Sequence, residues 1–225
     1  MKVVCMIPAR LGSKRVVNKN IMPLGGQPLV THIIRTAKES GCFHEVYLNS
    51  EANKLGRIAL MQGALHYKRP KELASDYATN DDFTLEFLEN IDCDYVVQLL
   101  TTSPFVTEQE IREFTSYLID NELDTLISVK DSQIECLYEG EAINFDKLKP
   151  TPPSQELVPI KAYACALMGW KKDTFIKNMK KHGCAYHGGE GKTDYFTIKG
   201  FSEIDIDTYE DLELARAVWS YTNGN

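Results

Sequence analysis

The sequence predicts an α/β fold, a doubly wound, mostly parallel sheet carrying an inserted hairpin or arm. Three observations carry that expectation. Apolar runs of strand length alternate with segments of helical period, the order expected of a parallel sheet with helices on both faces. The first run, Lys2–Ile7, is valine-rich and almost wholly apolar, as in a strand covered on both sides. The rhythm breaks once, over residues 131–160, where polar residues and Pro150, Pro152, Pro153 and Pro159 replace it.

Each element follows from local chemistry. Gln27–Ser40 reads as a helix with Pro28 in its first turn, a stripe of Leu29, Ile33, Ile34 and Ala37, and Gly41 as its stop. Glu45–Asn49 is the second strand, Glu51–Gln62 a helix ended by Gly63, and Ala64–Lys68 a short strand before Arg69-Pro70. Thr79–Asn90 is helical, and Tyr95–Leu100 is a strongly apolar strand. Thr107 with Glu110 forms a capping box that opens a helix reaching Asn121, and Leu123–Val129 is the next strand. Past the irregular stretch, the rhythm resumes with Ala162–Trp170 and Lys171–Lys181. It closes with a strand at Ser202–Ile206 and a helix from Tyr209. Crossovers are expected to be right-handed.

The 225 residues, 43% hydrophobic and 25% charged, suit one domain over 1–225, with 131–165 as an arm for contact between subunits of a homodimer. A net charge of −7 argues against nucleic acid as a partner. No apolar run approaches the roughly 20 residues of a membrane span. The start, MKVVCMIPARLGSKR, has no signal-peptide h-region and reads as a first strand. Six scattered cysteines with no C-x-x-C pair point to thiols in a reducing cytoplasm.

In open α/β sheets, ligands bind beyond the carboxyl ends of strands. After the first strand comes Pro8-Ala9-Arg10-Leu11-Gly12-Ser13-Lys14-Arg15, then Asn18-Lys19-Asn20. Four cations, a glycine and a serine in one loop suit a polyphosphate. Neither the Walker pattern nor the dinucleotide fingerprint is present. Near the end, Asp205 and Asp207 lie two apart on the expected last strand and so face the same way. Paired carboxylates beside phosphates suit Mg²⁺, while Thr208 and Asp211 suit the cap of the last helix. Together the two sites fit nucleotidyl transfer, with cations and metal offsetting charge on the α-phosphate and on departing pyrophosphate.

Ile7-Pro8-Ala9-Arg10-Leu11-Gly12-Ser13-Lys14 with Lys19-Asn20 resembles the signature of the acylneuraminate cytidylyltransferase family, the CMP-sialic acid synthetases and their relatives. Arg69-Pro70-Lys71-Glu72-Leu73-Ala74-Ser75-Asp76, Thr102-Ser103-Pro104 and Ile204-Asp205-Ile206-Asp207 match its later landmarks in order, so the resemblance covers nearly the whole chain. It implies a nucleotidyltransferase Rossmann-like sheet and transfer of CMP from CTP to an acidic sugar. Arg10 and Lys19 would contact the phosphates, with Ala9, Gly12, Ser13 and Lys14 in the same loop. Asn20 would touch the nucleotide, and Arg69 with Ala78 and Asn80 would read cytosine. Asp205 and Asp207 would hold Mg²⁺, making Arg10, Lys19 and Asp207 the catalytic set.

The acceptor side departs from the sialate pattern. Leu100 stands where sialate enzymes carry a glutamine, with Gln98 two residues earlier, and Phe105-Val106 replaces Leu-Arg. The R-P-N-G-A segment is Lys161-Ala162-Tyr163-Ala164-Cys165, whose lysine keeps the charge and loses the bidentate fork. Gln98, Lys161 and Tyr163 are thus the acceptor candidates, for a sialic acid-like or other 3-deoxy-2-ulosonic acid, or for a phosphonate. Two rivals stay open: another nucleoside triphosphate as donor, or a non-catalytic nucleotide-binding protein on the same fold. Residues 188–193 read as a mobile loop, His32 as a packed histidine, and Trp170 and Trp219 as core.

Overall fold

The first strand, β1 (Val3–Pro8), sends alternate side chains into two cores: Val3, Cys5 and Ile7 into one, Val4 and Met6 into the other. A sheet with two buried faces is the consequence. The computed structural model describes residues 1–224. After β1 come a small hairpin of β2 (Pro23–Leu24) and β3 (Gln27–Pro28), then α1 (Leu29–Ser40), β4 (Glu45–Ser50), α2 (Asn53–Met61) and β5 (Leu65–Lys68). Next are α3 (Asn80–Asn90), β6 (Tyr95–Leu99), α4 (Glu108–Asp120), β7 (Thr125–Ser132) and a second hairpin of β8 (Leu137–Tyr138) and β9 (Glu141–Ala142). The chain finishes with β10 (Ile160–Lys171), α5 (Lys172–His182), β11 (Thr193–Thr197) and α6 (Tyr209–Asn223).

Seven strands form one sheet in the order β11-β7-β10-β6-β1-β4-β5. Helices α1, α2 and α4 pack on one face through Ile33, Ile34, Leu55, Ile111 and Phe114. Helices α3 and α5 cover the other through Phe87, Leu88 and Phe175. The doubly wound arrangement expected from the alternation is therefore present. A third, smaller cluster joins Val16, Leu24, Leu29, Ile206, Leu212 and Ala215, and it fastens α6 and the loop after β1 to each other. Among the described residues, no helix is long and apolar enough to cross a membrane.

Helix ends follow their local signals. Thr79, Thr107 and Thr208 each close a capping box, with Asp82, Glu110 and Asp211 respectively. Gly41 ends α1 at φ 68°, a left-handed conformation that costs a residue without Cβ nothing. Gly25 turns the first hairpin at φ 55°, and a Cβ there would stand 2.1 Å from the Trp219 indole. Trp170 is fully buried. His32 is buried too, its Nε2 donating to the Leu24 carbonyl at 2.9 Å and its ring edge-on to Trp219.

Four expectations differ from what the chain does. α1 starts at Leu29, because Gln27 and Pro28 pair with Leu24 and Pro23 instead of entering the helix. β10 runs antiparallel to both β6 and β7, since it returns from the excursion that separates it from β7. Ser202–Ile206 is no strand: Gly200–Glu203 forms a 3-10 turn, and beyond it the chain is extended, with the Ile206 N–H donating to the Thr102 carbonyl. The edge position belongs to β11, which pairs in parallel with β7. Lastly, residues 188–192 are tied down: Asn178 donates to the Gly188 and Glu190 carbonyls and accepts from the Glu190 N–H, while Asp124 accepts from the Lys192 N–H.

Candidate active site

Parallel pairing brings the carboxyl ends of β1, β4 and β6 to one edge of the sheet. A cleft of about 450 Å³ opens there, lined by Pro8, Ala9, Arg10, Ser13, Lys14, Arg15, Lys19, Asn20, Arg69, Phe83, Leu100, Thr101 and Thr102. The loop after β1 keeps its shape through backbone and side-chain ties. Ala9 N–H donates to the Asn49 carbonyl, and Asn20 Nδ2 donates to the Arg10 carbonyl at 2.8 Å. Asn20 in turn accepts from Thr101 Oγ1 at 2.5 Å, so the first and third parallel strand ends share one buried polar link. Asn18 takes a left-handed φ of 56°, a conformation asparagine tolerates, and starts the 3-10 turn that presents Lys19.

Every loop cation meets a carboxylate. Arg10 Nη2 lies 3.0 Å and Lys14 Nζ 2.7 Å from the Asp76 carboxylate, and Arg10 Nη1 donates to the Ala74 carbonyl. Arg15 Nη2 is 2.9 Å and Lys19 Nζ 3.2 Å from Asp207 Oδ1, and Lys19 also donates to the Ile206 carbonyl at 2.6 Å. The Lys14 ammonium, with Arg10 beside it, holds the Asp76 carboxyl below its usual range. Arg69 is the buried member, 3% exposed, stacked 4.9 Å over the Phe83 ring and donating to the Ala9 carbonyl. Its Nε has no hydrogen-bond partner among the described residues.

Asp205 and Asp207 flank Ile206, whose side chain is locked into the third apolar cluster. That anchor, and not a strand pleat, sets the two carboxylates near Lys19, which lines the cleft. Burial raises the Asp205 pKa above the ordinary value. The Asp207 charge pushes the same way, and the Thr102 hydroxyl and Lys19 pull partly against them. Asp205 Oδ1 is a buried acceptor left without a donor. A buried, unpaired carboxylate oxygen beside a second carboxylate is what a divalent cation satisfies. Among the described residues, no three His, Cys, Asp or Glu side chains gather as a metal group. Asp211 does the capping, accepting from the Asp207 and Thr208 N–H groups, which hold its carboxyl below the usual range.

The structure brings Ala9, Arg10, Ser13, Lys14, Lys19, Asn20 and Arg69 to the cleft wall, whereas Gly12, Ala78, Asn80, Gln98, Lys161, Tyr163, Asp205 and Asp207 do not line it, Asp207 reaching it through its ion pairs with Arg15 and Lys19. Asn80 Oδ1 accepts from Thr84 Oγ1, which also donates to the fully buried Gln98 at 3.4 Å; the Gln98 Nε2 is unpartnered. Lys161 and Tyr163 stand on the part of β10 that overhangs the end of β6, since β10 meets β6 only from Leu167 onward. Lys161 is paired there with Asp131 at 3.1 Å and with Thr197 Oγ1. The Tyr163 hydroxyl lies 3.4 Å from His187 Nδ1, and burial pushes its pKa up to about 12. Of the residues that depart from the sialate pattern, Val106 is buried core, Phe105 packs against Phe201 and Leu100 lines the cleft.

Phe83, Leu100, Thr101 and the anchoring carboxylates Glu51 and Asp76 were not among the expected site residues. The signal for three of them was their place at strand ends: Leu100 and Thr101 follow β6, and Glu51 follows β4.

The fold is that of an α/β protein with a cation-lined cleft at the carboxyl edge of its sheet. A sequence model of the cytidylyltransferase family matches residues 4–158, and the chain belongs to that family. It is 29% identical to the pseudaminic acid cytidylyltransferase of Campylobacter jejuni, covering 97% of both chains. It is also 29% identical to an N-acylneuraminate cytidylyltransferase of Streptococcus agalactiae, covering 94% of this chain and 52% of that one. The fold superimposes on CMP:2-keto-3-deoxy-manno-octonic acid synthetase complexed with CTP at a TM-score of 0.73, with 16% identity over 99% and 100% of the two chains.

Proposed function

We propose that the protein transfers CMP from CTP to an acidic sugar of the sialic acid or 3-deoxy-2-ulosonic acid kind, releasing pyrophosphate. The observation that carries this reading is that Arg10, Lys14, Arg15 and Lys19 line one cleft, with Asp207 paired to two of them. The named relatives supply the acceptor class.

In the reaction an acceptor oxygen attacks the α-phosphorus of CTP in line. The new P–O bond forms as the bond to the β-phosphate bridge breaks, the acceptor's proton leaves to solvent or a nearby base, and pyrophosphate takes the electron pair. Arg10, Lys14 and Lys19 would give up their carboxylate partners to the triphosphate and offset charge growing on the leaving group. Arg69, desolvated and held over Phe83, would face the base. Asp205 and Asp207 would hold Mg²⁺, which when bound acidifies a neighbouring hydroxyl and neutralises phosphate charge. The overhanging segment with Lys161 and Tyr163 would meet the acceptor, Lys161 exchanging Asp131 for its carboxylate.

The arm between β7 and β10 exposes Ile134, Leu137, Tyr138, Ile143, Leu148 and Val158. Such a run of apolar side chains supports a homodimer through this arm. Six free thiols support a reducing cytoplasm as the working compartment.

A thermal-shift scan with ATP, GTP, CTP and UTP, with and without Mg²⁺, tests the nucleotide half. A ligand at 100 times its Kd stabilises by about 2.7 kcal/mol. A shift selective for CTP and enlarged by Mg²⁺ is expected. Selective stabilisation by another nucleotide overturns the donor, and no shift with any of the four favours a protein that has kept only the fold. Light scattering of the purified protein tests the dimer.

A further inference from the structure

We propose that Glu51 is a positioning residue that couples the phosphate end of the nucleotide site to its base end. The inference rests on the reading of the cleft as a CTP site and adds to it a residue that lines no part of the cleft itself.

Glu51 directly follows β4, the strand next to β1. Its two oxygens do different work. Oε1 accepts the Leu11 N–H at 3.2 Å, in the middle of the cationic loop. Oε2 lies 3.6 Å from Arg69 Nη2. One rigid carboxylate at a strand end therefore sets the loop and the arginine relative to each other. Arg69 depends on it: the guanidinium side chain is 3% exposed, and a buried charge needs a partner to stay where it is. The other carboxylate nearby, Glu86, already accepts from the Tyr67 hydroxyl at 2.6 Å. Neither Arg69 Nε nor Glu51 Oε2 has a hydrogen-bond partner of its own among the described residues.

The two halves of Glu51 can be separated by substitution. In Glu51→Gln the amide oxygen still accepts the Leu11 N–H, but the charge opposite Arg69 is gone. In Glu51→Ala both contacts are lost. Calorimetric titration of wild type and both variants with CTP, UTP and inorganic tripolyphosphate reads the difference, with melting curves to verify folding.

Wild type should prefer CTP to UTP. Glu51→Gln should weaken CTP by about tenfold, shrink the preference over UTP, and bind tripolyphosphate within about twofold of wild type. Glu51→Ala should weaken both ligands. Equal weakening of CTP and tripolyphosphate in Glu51→Gln would reduce Glu51 to a general structural support and overturn the proposal. Unchanged CTP binding in a folded Glu51→Gln would overturn it too. Failure of the wild type itself to prefer CTP would remove this inference together with the donor assignment beneath it, a result distinguishable because no variant is involved.

Discussion

Asp76 pairs with two residues of the loop after β1, its Oδ1 3.0 Å from Arg10 Nη2 and its other oxygen 2.7 Å from Lys14 Nζ. One carboxylate thus occupies two of the cations that line the cleft. The Arg69–Asp76 segment packs onto the loop after β1 through these pairs, the Arg10 bond to the Ala74 carbonyl and the Arg69 bond to the Ala9 carbonyl. Asp207 pairs with Arg15 and Lys19.

Phosphate and Asp76 compete for the same cations. Asp76→Asn is expected to tighten tripolyphosphate binding by about two- to fivefold, since exposed ion pairs are weak and screened by solvent. The gain should shrink as salt is raised. Titration calorimetry at two ionic strengths measures it, and a tenfold loss of affinity would mean that Asp76 organises the cations instead of competing for them.

Asp207→Ala should lower turnover by at least about 10²-fold while leaving the circular dichroism spectrum unchanged, the scale seen when one group stabilising transition-state charge is removed. Asp205→Asn should act in the same direction, because it removes charge from a buried oxygen that has no donor. Pyrophosphate release measured over a range of Mg²⁺ reports both. Near-wild-type rates would remove the metal assignment.

Thr101→Val deletes the donor to Asn20 Oδ1 and leaves a 6% exposed amide with an unmet acceptor. The cost is about 1–3 kcal/mol. In a chain of this length that lowers Tm by several degrees, since each kcal/mol is worth about 2–4 °C. Nucleotide affinity should fall as well, because Asn20 also holds the Arg10 carbonyl. A Tm equal to wild type would mean that water meets Asn20 in place of the threonine.

His32 gives the stability a pH dependence. Burial lowers its pKa from 6.5, with Arg35 adding to the effect and the bond to the Leu24 carbonyl opposing it. The unfolded chain binds a proton as pH falls through 6.5, and the folded chain does so only at lower pH. Its contribution is therefore complete above the unfolded value and is lost as pH falls toward the folded one. Melting temperatures of wild type and His32→Gln across this range should show a shallower acid slope in the variant. Parallel slopes would assign the acid sensitivity to other groups.

Much of the site was legible because the chemistry is local. Arg10, Ser13, Lys14, Lys19 and Asn20 lie within eleven consecutive residues after a strand, and a loop that short at a strand end reaches one cleft whatever else the fold does. The pairing of Asp205 with Asp207 was legible for a different reason than the one that applies. A strand pleat was expected to align them, but the buried Ile206 between them sets their position. Glu51, Asp76 and Phe83 were not legible. Each acts by contact with a residue at least 14 positions away in the chain, and spacing carries no trace of such contacts.

By itself the sequence determined the alternation of strands and helices, the capping boxes at Thr107 and Thr208, the two-faced sheet and the cationic loop. These follow from periodicity and from hydrogen bonds closed within a few residues. Only the tertiary structure decided which strand takes the sheet edge, which way β10 runs, and which carboxylate each cation faces. Those outcomes depend on pairing between segments far apart in the chain, where burial and charge balance in three dimensions override any local preference. The Ser202–Ile206 segment shows why: its alternating pattern suits a strand, yet β11 already occupies the place beside β7, and the segment gives its buried Ile206 to the cluster beneath α6.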